Sequence, residues 1–311
     1  MLLRDLLNDR YCILRNLKPR TVALINQTLD RLADFLGRES QLSDLDDLTI
    51  AKFLRWRGVT PHKGRLASPA TVAKDKAHLT SLWNFAARKR LAADLQFPDL
   101  PRLKVPKRPP RGYTVAEVSA MVRHARQKVG MVGPIPAPAF WVSLVQAAWY
   151  TGERIGGLLA IRWSEADLDG CRLTFLGGTR KGGVETITRD ITPQLAAMLR
   201  QRQGKPNELV WPWIEYRQER SIYDGLKLLC KAAKVTPRGF HAIRKASGSY
   251  VKAGGGDATE HLAHANPRTT RDSYLDVTIT GQQSALDYLP PLDLDGPGFD
   301  SSGQGGDRPA A

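Results

Sequence analysis

At 311 residues the chain exceeds one typical domain and suits two, which excludes a small peptide or a disulfide scaffold. Lys+Arg 46 against Asp+Glu 31 leaves a net charge of +15, while 42% hydrophobic residues and seven Trp are enough to build packed cores. Such a globular, strongly basic protein favours a polyanionic partner, nucleic acid foremost, a balance shared by ribosomal, membrane-surface and merely soluble basic proteins. No run approaches the roughly 20 apolar residues of a bilayer span, and MLLRDLLNDR has charges where a signal peptide is apolar. These features predict a cytoplasmic, nucleoid-associated protein with no membrane partner. Cys12, Cys171 and Cys230 lie far apart and show no CxxC pairing, so they read as small buried apolar residues.

Residues 1–100 predict four helices, over 2–16, 19–38, 45–58 and 68–92. In the second, Val22, Leu24, Ile25, Leu29, Leu32, Ala33 and Leu36 recur near a 3.6-residue period, which puts an apolar stripe on one side. In the fourth, Ser68 offers an N-cap with Pro69 at the first helical position. Residues 1–110 carry a net charge of +10, so this helical unit is expected to face DNA. PRLKVPKRPPRG, residues 101–112, combines four prolines with five basic residues and predicts an extended linker. A second domain over 113–290 follows, and 291–311 is too poor in apolar groups to order itself.

The second domain reads as mixed. Thr114 and Glu117 form a capping-box signature. Ala139–Tyr150 is an apolar helix broken at Thr151-Gly152, and Arg154–Trp163 resumes as a short helix. CRLTFLGG and VETITRDI predict a hairpin with TRKGG at its tip. Further helices are expected at Pro193–Gln203, Gln218–Ala233, Phe240–Ala253, Ala258–Ala263 and around Arg268–Tyr274. The fold class is therefore mainly α with a small β-sheet.

Several weak signals carry chemistry. His241 and Arg244 lie three apart on a predicted helix and so reach one phosphate together. A second pair, His62 and Arg65, sits in a Gly-containing loop and reads as a solvated turn. Arg154 follows a Thr-Gly break, Lys181 lies in the hairpin tip, and His264 precedes Tyr274 by ten residues. Zinc on His261, His264 and Asp257 is another reading, but the spacing lacks the i,i+4 pair and the thiolates of common sites.

Taken in order, Arg154, Lys181, His241, Arg244, His264 and Tyr274 resemble the signature of the tyrosine recombinases, the phage-integrase family. The resemblance rests on TGERIGGLLAIRW, on His241-x-x-Arg244 and on Leu262-Ala263-His264 followed by Tyr274, and it spans nearly the whole chain. It implies an N-terminal four-helix core-binding (SAM-like) domain, a basic linker and an α+β catalytic domain. It also implies site-specific breakage and rejoining of DNA through a 3′-phosphotyrosine, integrating or excising a mobile element. Tyr274 is then the nucleophile, Arg154 and Arg244 clamp the phosphoryl oxygens, and His241 is the base. Lys181 protonates the leaving 5′-oxygen, His264 bonds a non-bridging oxygen, and no cofactor or metal is needed. The implied partners are double-stranded DNA and a tetrameric synapse of identical chains. Two alternatives stand beside this: a catalytically weakened DNA-binding protein of the same fold, and a type IB topoisomerase-like relaxase.

Three departures from the family pattern are visible. Gly157 occupies the position where Glu or Asp is usual, and Glu153 is expected to face differently on a helix. The interval from Arg244 to His264 is 20 residues, about one helical turn shorter than in many relatives. Ala263 stands where Gly is usual, and Ala replaces Gly there only if the backbone avoids positive φ.

Overall fold

The computed structural model describes residues 1–281 apart from 93, 107 and 180–184. The tail expected at 291–311, Lys181, and the end of the second domain from 282 to 290 lie outside the described residues. The chain divides into two compact units, Met1–Arg108 and Pro109–Ala311.

The first unit is helical. Pro19–Leu36, Asp47–Val59 and Pro69–Arg88 are α-helices, the last two capped by the side chains of Asp46 and Ser68. The segment from Leu3 begins as α-helix and passes through a π-helical stretch, Leu6–Tyr11. Each helix turns its apolar stripe inward, so Leu6, Leu29, Leu32, Phe53, Leu79 and Trp83 share one core. The Trp83 indole N–H is buried with a partner, donating to the Gln96 carbonyl at 2.6 Å. His62 and Arg65 exchange backbone hydrogen bonds across a tight turn.

The second unit is built around the helix Ala137–Thr151, ten of whose 15 residues are buried. Its continuous apolar run suits a helix packed on all sides. Phe140, Trp141 and Trp213 meet beside it with ring centroids 5.5–5.7 Å apart. Val115–Ala125 starts with the reciprocal capping box of Thr114 and Glu117. Arg172–Phe175 and Ile187–Asp190 form the expected antiparallel hairpin, with Phe175 opposite Ile187. A third strand, Ala166–Asp167, extends this sheet, and Met131–Val132 pairs with Ile135–Pro136 in a separate ribbon. Both were illegible because two-residue strands carry no period.

Phe240–Ala253 is helical over the predicted range, and Pro193–Arg200, Ser221–Ala232, Ala258–His261 and Pro267–Ser273 are helices as expected in position. The helix expected over Arg154–Trp163 is shorter: it covers Ile155–Leu158, and Trp163–Glu165 is a 3-10 turn. Gly156 and Gly157 hold the backbone weakly in a helix, so nothing sustains it further. Among the described residues no helix is long and apolar enough to cross a membrane.

Candidate active site

The site starts where the central helix stops. Thr151 turns its hydroxyl back onto the Ala147 carbonyl at 2.7 Å, and the same oxygen accepts the Glu153 N–H at 3.2 Å. Gly152 then adopts φ 59°, the left-handed conformation that ends many helices, and a Cβ there would sit 2.7 Å from His261 Nε2. Both the twist and the close approach require glycine. Arg154 follows in extended conformation as the N-cap residue of Ile155–Leu158.

The helix Phe240–Ala253 buries Ala242, Ile243 and Ala246 and presents His241, Arg244 and Lys245 on another side. Arg244 is 1% exposed. Its Nη1 donates to the Gly152 carbonyl, and its Nη2 donates to the Leu262 carbonyl at 2.6 Å and contacts His264 Nε2 at 3.0 Å. Among the described residues, Arg244 Nε has no hydrogen-bond partner. Burial, and then the Arg154 charge, push the Arg244 pKa down to about 10, with Glu153 and Tyr274 opposing the shift; it remains a cation at neutral pH.

His264 Nδ1 lies 2.8 Å from the Thr270 hydroxyl. If Nε2 accepts from Arg244, Nδ1 carries the proton and donates to Thr270. Tyr274 sits at the C-terminal end of Pro267–Ser273 with its N–H on the Thr270 carbonyl. Its ring is packed edge-on to two imidazoles, with centroids 4.3 Å from His264 and 4.8 Å from His241, and the Arg244 guanidinium lies 5.4 Å from the ring centre. The His241 ring is open to solvent on one side. Loss of solvent on its protein side, followed by the charges of Lys245, Arg244 and Arg154, pushes its pKa down to about 4.

Arg154, His241, Arg244, His264 and Tyr274 are thus brought together from three stretches of chain up to 120 residues apart. The three zinc candidates point to separate partners: His261 Nε2 meets the Ser247 hydroxyl at 2.7 Å, His264 is held by Arg244 and Thr270, and Asp257 caps Ala258–His261. Among the described residues no group of three or more His, Cys, Asp or Glu is arranged to hold a metal.

No protein-family model matches the chain. A putative tyrosine recombinase XerC from Pseudomonas aeruginosa is 24% identical over 210 residues, which is 63% of this chain and 48% of that protein. The chain therefore spans about half the length of that relative. The structure is similar to a lambda integrase fragment in a dimer bound to a COC′ core site, with TM-score 0.64, 18% identity, and coverage of 86% of this chain and 96% of that one. It is also similar to lambda integrase in a tetramer bound to a Holliday junction, with TM-score 0.63, 16% identity, and coverage of 86% and 78%. The chain thus has the fold of these integrase structures. That fold is mainly helical with a small sheet.

Two expectations need correction. Ala263 does adopt positive φ, at 46°, because it closes the helix Ala258–His261: its N–H donates to the Glu260 carbonyl at 2.9 Å, and the next N–H, of His264, reaches back to the Thr259 carbonyl at 3.0 Å. The alanine bears the strain that a glycine avoids. Glu153 does not project from a helix, since the helix begins two residues later at Ile155. Its side chain is buried, accepts the Arg154 N–H at 2.8 Å, and lies against Gly157.

Three supports are not foreshadowed by any motif. Ser249, wholly buried, accepts the Asp276 N–H at 2.8 Å and contacts the Tyr274 carbonyl at 3.4 Å. Asp276 accepts the Gly112 N–H at 2.7 Å; burial opposes its ionisation, but hydrogen bonds from Thr278 and Gly112 and the Arg111 charge hold its pKa below the usual value. Thr270 supports His264. Short polar side chains beside the motif residues were the available signal, and they occur throughout the chain.

Proposed function

We propose that this protein is a site-specific DNA recombinase that cleaves and rejoins DNA through a 3′-phosphotyrosine at Tyr274. The observation that carries the reading is the packing of Tyr274 against His241, His264 and Arg244, with the Arg154 charge felt by both His241 and Arg244.

The chemistry follows from charge. A phosphodiester repels an incoming oxyanion, and its transition state spreads negative charge over the non-bridging oxygens. Arg154 and Arg244 meet that charge with planar donors already held by the protein. Because Gly152 and Leu262 fix the Arg244 guanidinium, it need not reorganise when DNA arrives.

The Tyr274 oxygen attacks phosphorus, its proton passes to His241, and the bond to the 5′-oxygen breaks. His241 is neutral at pH 7 and so has a lone pair to offer. A bound phosphodiester anion offsets the three neighbouring cations and makes that lone pair more basic. Lys181 supplies the proton that the departing 5′-oxygen takes up, and His264 bonds a non-bridging oxygen. Attack of a 5′-hydroxyl on the phosphotyrosine reverses the sequence with no net loss of bond energy. Double-stranded DNA is the substrate, and four copies of the chain assemble the exchange. The lambda integrase tetramer on a Holliday junction supports that assembly, and the net charge of +15 supports the substrate.

The test is to express the protein in cells, denature it without reversing phosphotyrosine bonds, and sequence the DNA that remains attached. Adducts at one recurrent sequence in the wild type, lost in Tyr274→Phe, are expected. Scattered adducts lost in the same control would replace this reading with a topoisomerase-like one.

A further inference from the structure

The acid beside the arginines has no part in the chemistry described above, yet its placement is specific. Glu153 is 3% exposed, which is rare for a carboxylate unless its surroundings need the charge. Its backbone N–H is fixed by Thr151, and its Oε1 accepts the Arg154 N–H. A Cβ built at Gly157 would lie 2.9 Å from Glu153 Cγ and 3.2 Å from Oε1. Any side chain at 157 therefore grows into the space that the Glu153 carboxyl fills. Gly157 has ordinary helical backbone, so it is this volume that calls for glycine there.

We propose that Glu153 is a positioning residue for the two arginines: its buried carboxylate fixes the Arg154 turn and supplies the negative charge between two cations that would otherwise repel. The inference rests on the recombinase reading. Two guanidiniums held close in a dry site push each other apart, and an anion anchored to backbone beside them steadies both. The Glu153 charge does act on Arg244, opposing the shift that burial and Arg154 impose. Position 157 borders the same space, so a carboxylate entering from there can do the same work once Glu153 is removed.

The experiment compares wild type, Glu153→Gln, Glu153→Ala, Gly157→Glu and the double variant Glu153→Ala/Gly157→Glu. Each is scored for cleavage rate and affinity on the duplex that wild type captures covalently, and for its thermal midpoint. Glu153→Gln and Glu153→Ala are expected to slow cleavage about tenfold to hundredfold while DNA affinity stays within about twofold, the mark of misplaced rather than missing groups. Gly157→Glu alone is expected to be slow and to melt below wild type, because two carboxylates compete for one space. The double variant is expected to recover most of the cleavage rate and to melt above Gly157→Glu.

Wild-type cleavage by Glu153→Gln, or a double variant no faster than Glu153→Ala, overturns the proposal. Absence of any wild-type adduct is a different outcome: it removes the recombinase reading, and the melting cycle then judges the placement by itself. Additive midpoints in that cycle overturn the shared space as well.

Discussion

Arg244 donates to the carbonyl oxygen of Gly152, a residue 92 positions earlier, so the guanidinium at the centre of the site also closes the turn that ends the central helix. Structure and chemistry are tied at this bond. Arg244→Lys keeps the charge but cannot reach Gly152 and Leu262 with one planar fork. Cleavage is expected to fall at least a hundredfold, on the order of losing one oxyanion donor. Stability is expected to fall by about 1–3 kcal/mol, the cost of leaving buried carbonyls unpaired. Denaturant unfolding beside adduct formation checks both; a lysine variant as stable and as fast as wild type would contradict the double role.

Acid should loosen the protein through its histidines. In the folded chain His241 and His261 both have pKa values near 4: burial leads in each case, followed by Lys245, Arg244 and Arg154 for His241 and by Arg189 and Arg244 for His261. A free histidine titrates near 6.5, so between about 6.5 and 4 the unfolded chain takes up protons that the folded chain refuses. Their contribution is therefore fully present above about pH 6.5 and is lost as pH falls towards 4. His261→Gln preserves a partner for the Ser247 hydroxyl without a titrating ring. The drop in unfolding midpoint between pH 7 and pH 5 is expected to be smaller in this variant than in wild type; an equal or larger drop would count against His261 as a source.

Much of this was legible in the sequence, for reasons that differ by residue. His241 and Arg244 were readable because a three-residue spacing on a helix fixes their mutual side whatever surrounds them. Thr114 and Glu117 likewise name their own partners through backbone geometry. Glu153 escapes the sequence because helix geometry does not apply to it: it precedes the helix, which starts at Ile155, and its direction is set by the turn at Thr151-Gly152. Ala263 escapes the sequence because the left-handed turn that ends Ala258–His261 falls on it, and such a turn usually announces itself by glycine or asparagine. Ser249 and Asp276 matter only through each other and Gly112, partners up to 164 positions apart.

The strain at Ala263 is open to relief. With φ at 46° the methyl group costs energy that glycine avoids, against the greater freedom glycine gives the unfolded chain. Ala263→Gly is expected to leave stability unchanged or raise it by up to about 1 kcal/mol, whereas alanine-to-glycine changes at ordinary helical positions lower it by about as much. The reverse substitution Gly152→Ala, at φ 59° and 2.7 Å from His261 Nε2, is expected to destabilise by more than 1 kcal/mol, roughly. Urea midpoints of the two variants should move in opposite directions, or at least differ in that order.

DNA binding should be strongly salt-dependent. With a net charge of +15, contacts to phosphates release counterions, so the logarithm of affinity is expected to fall linearly with the logarithm of salt, by roughly 0.9 per phosphate neutralised. Titration of a labelled duplex from low to physiological salt measures the slope. A flat response would contradict an electrostatic hold on the backbone.

The most direct measurement is mass spectrometry of the protein–DNA adduct after nuclease trimming and proteolysis. The expected product is a nucleotide joined by its 3′-phosphate to the peptide containing Tyr274, with no such peptide from Tyr274→Phe protein that still binds the duplex. A nucleotide attached to another residue, or an undiminished adduct in the Tyr274→Phe protein, would contradict the assignment of Tyr274 as the nucleophile.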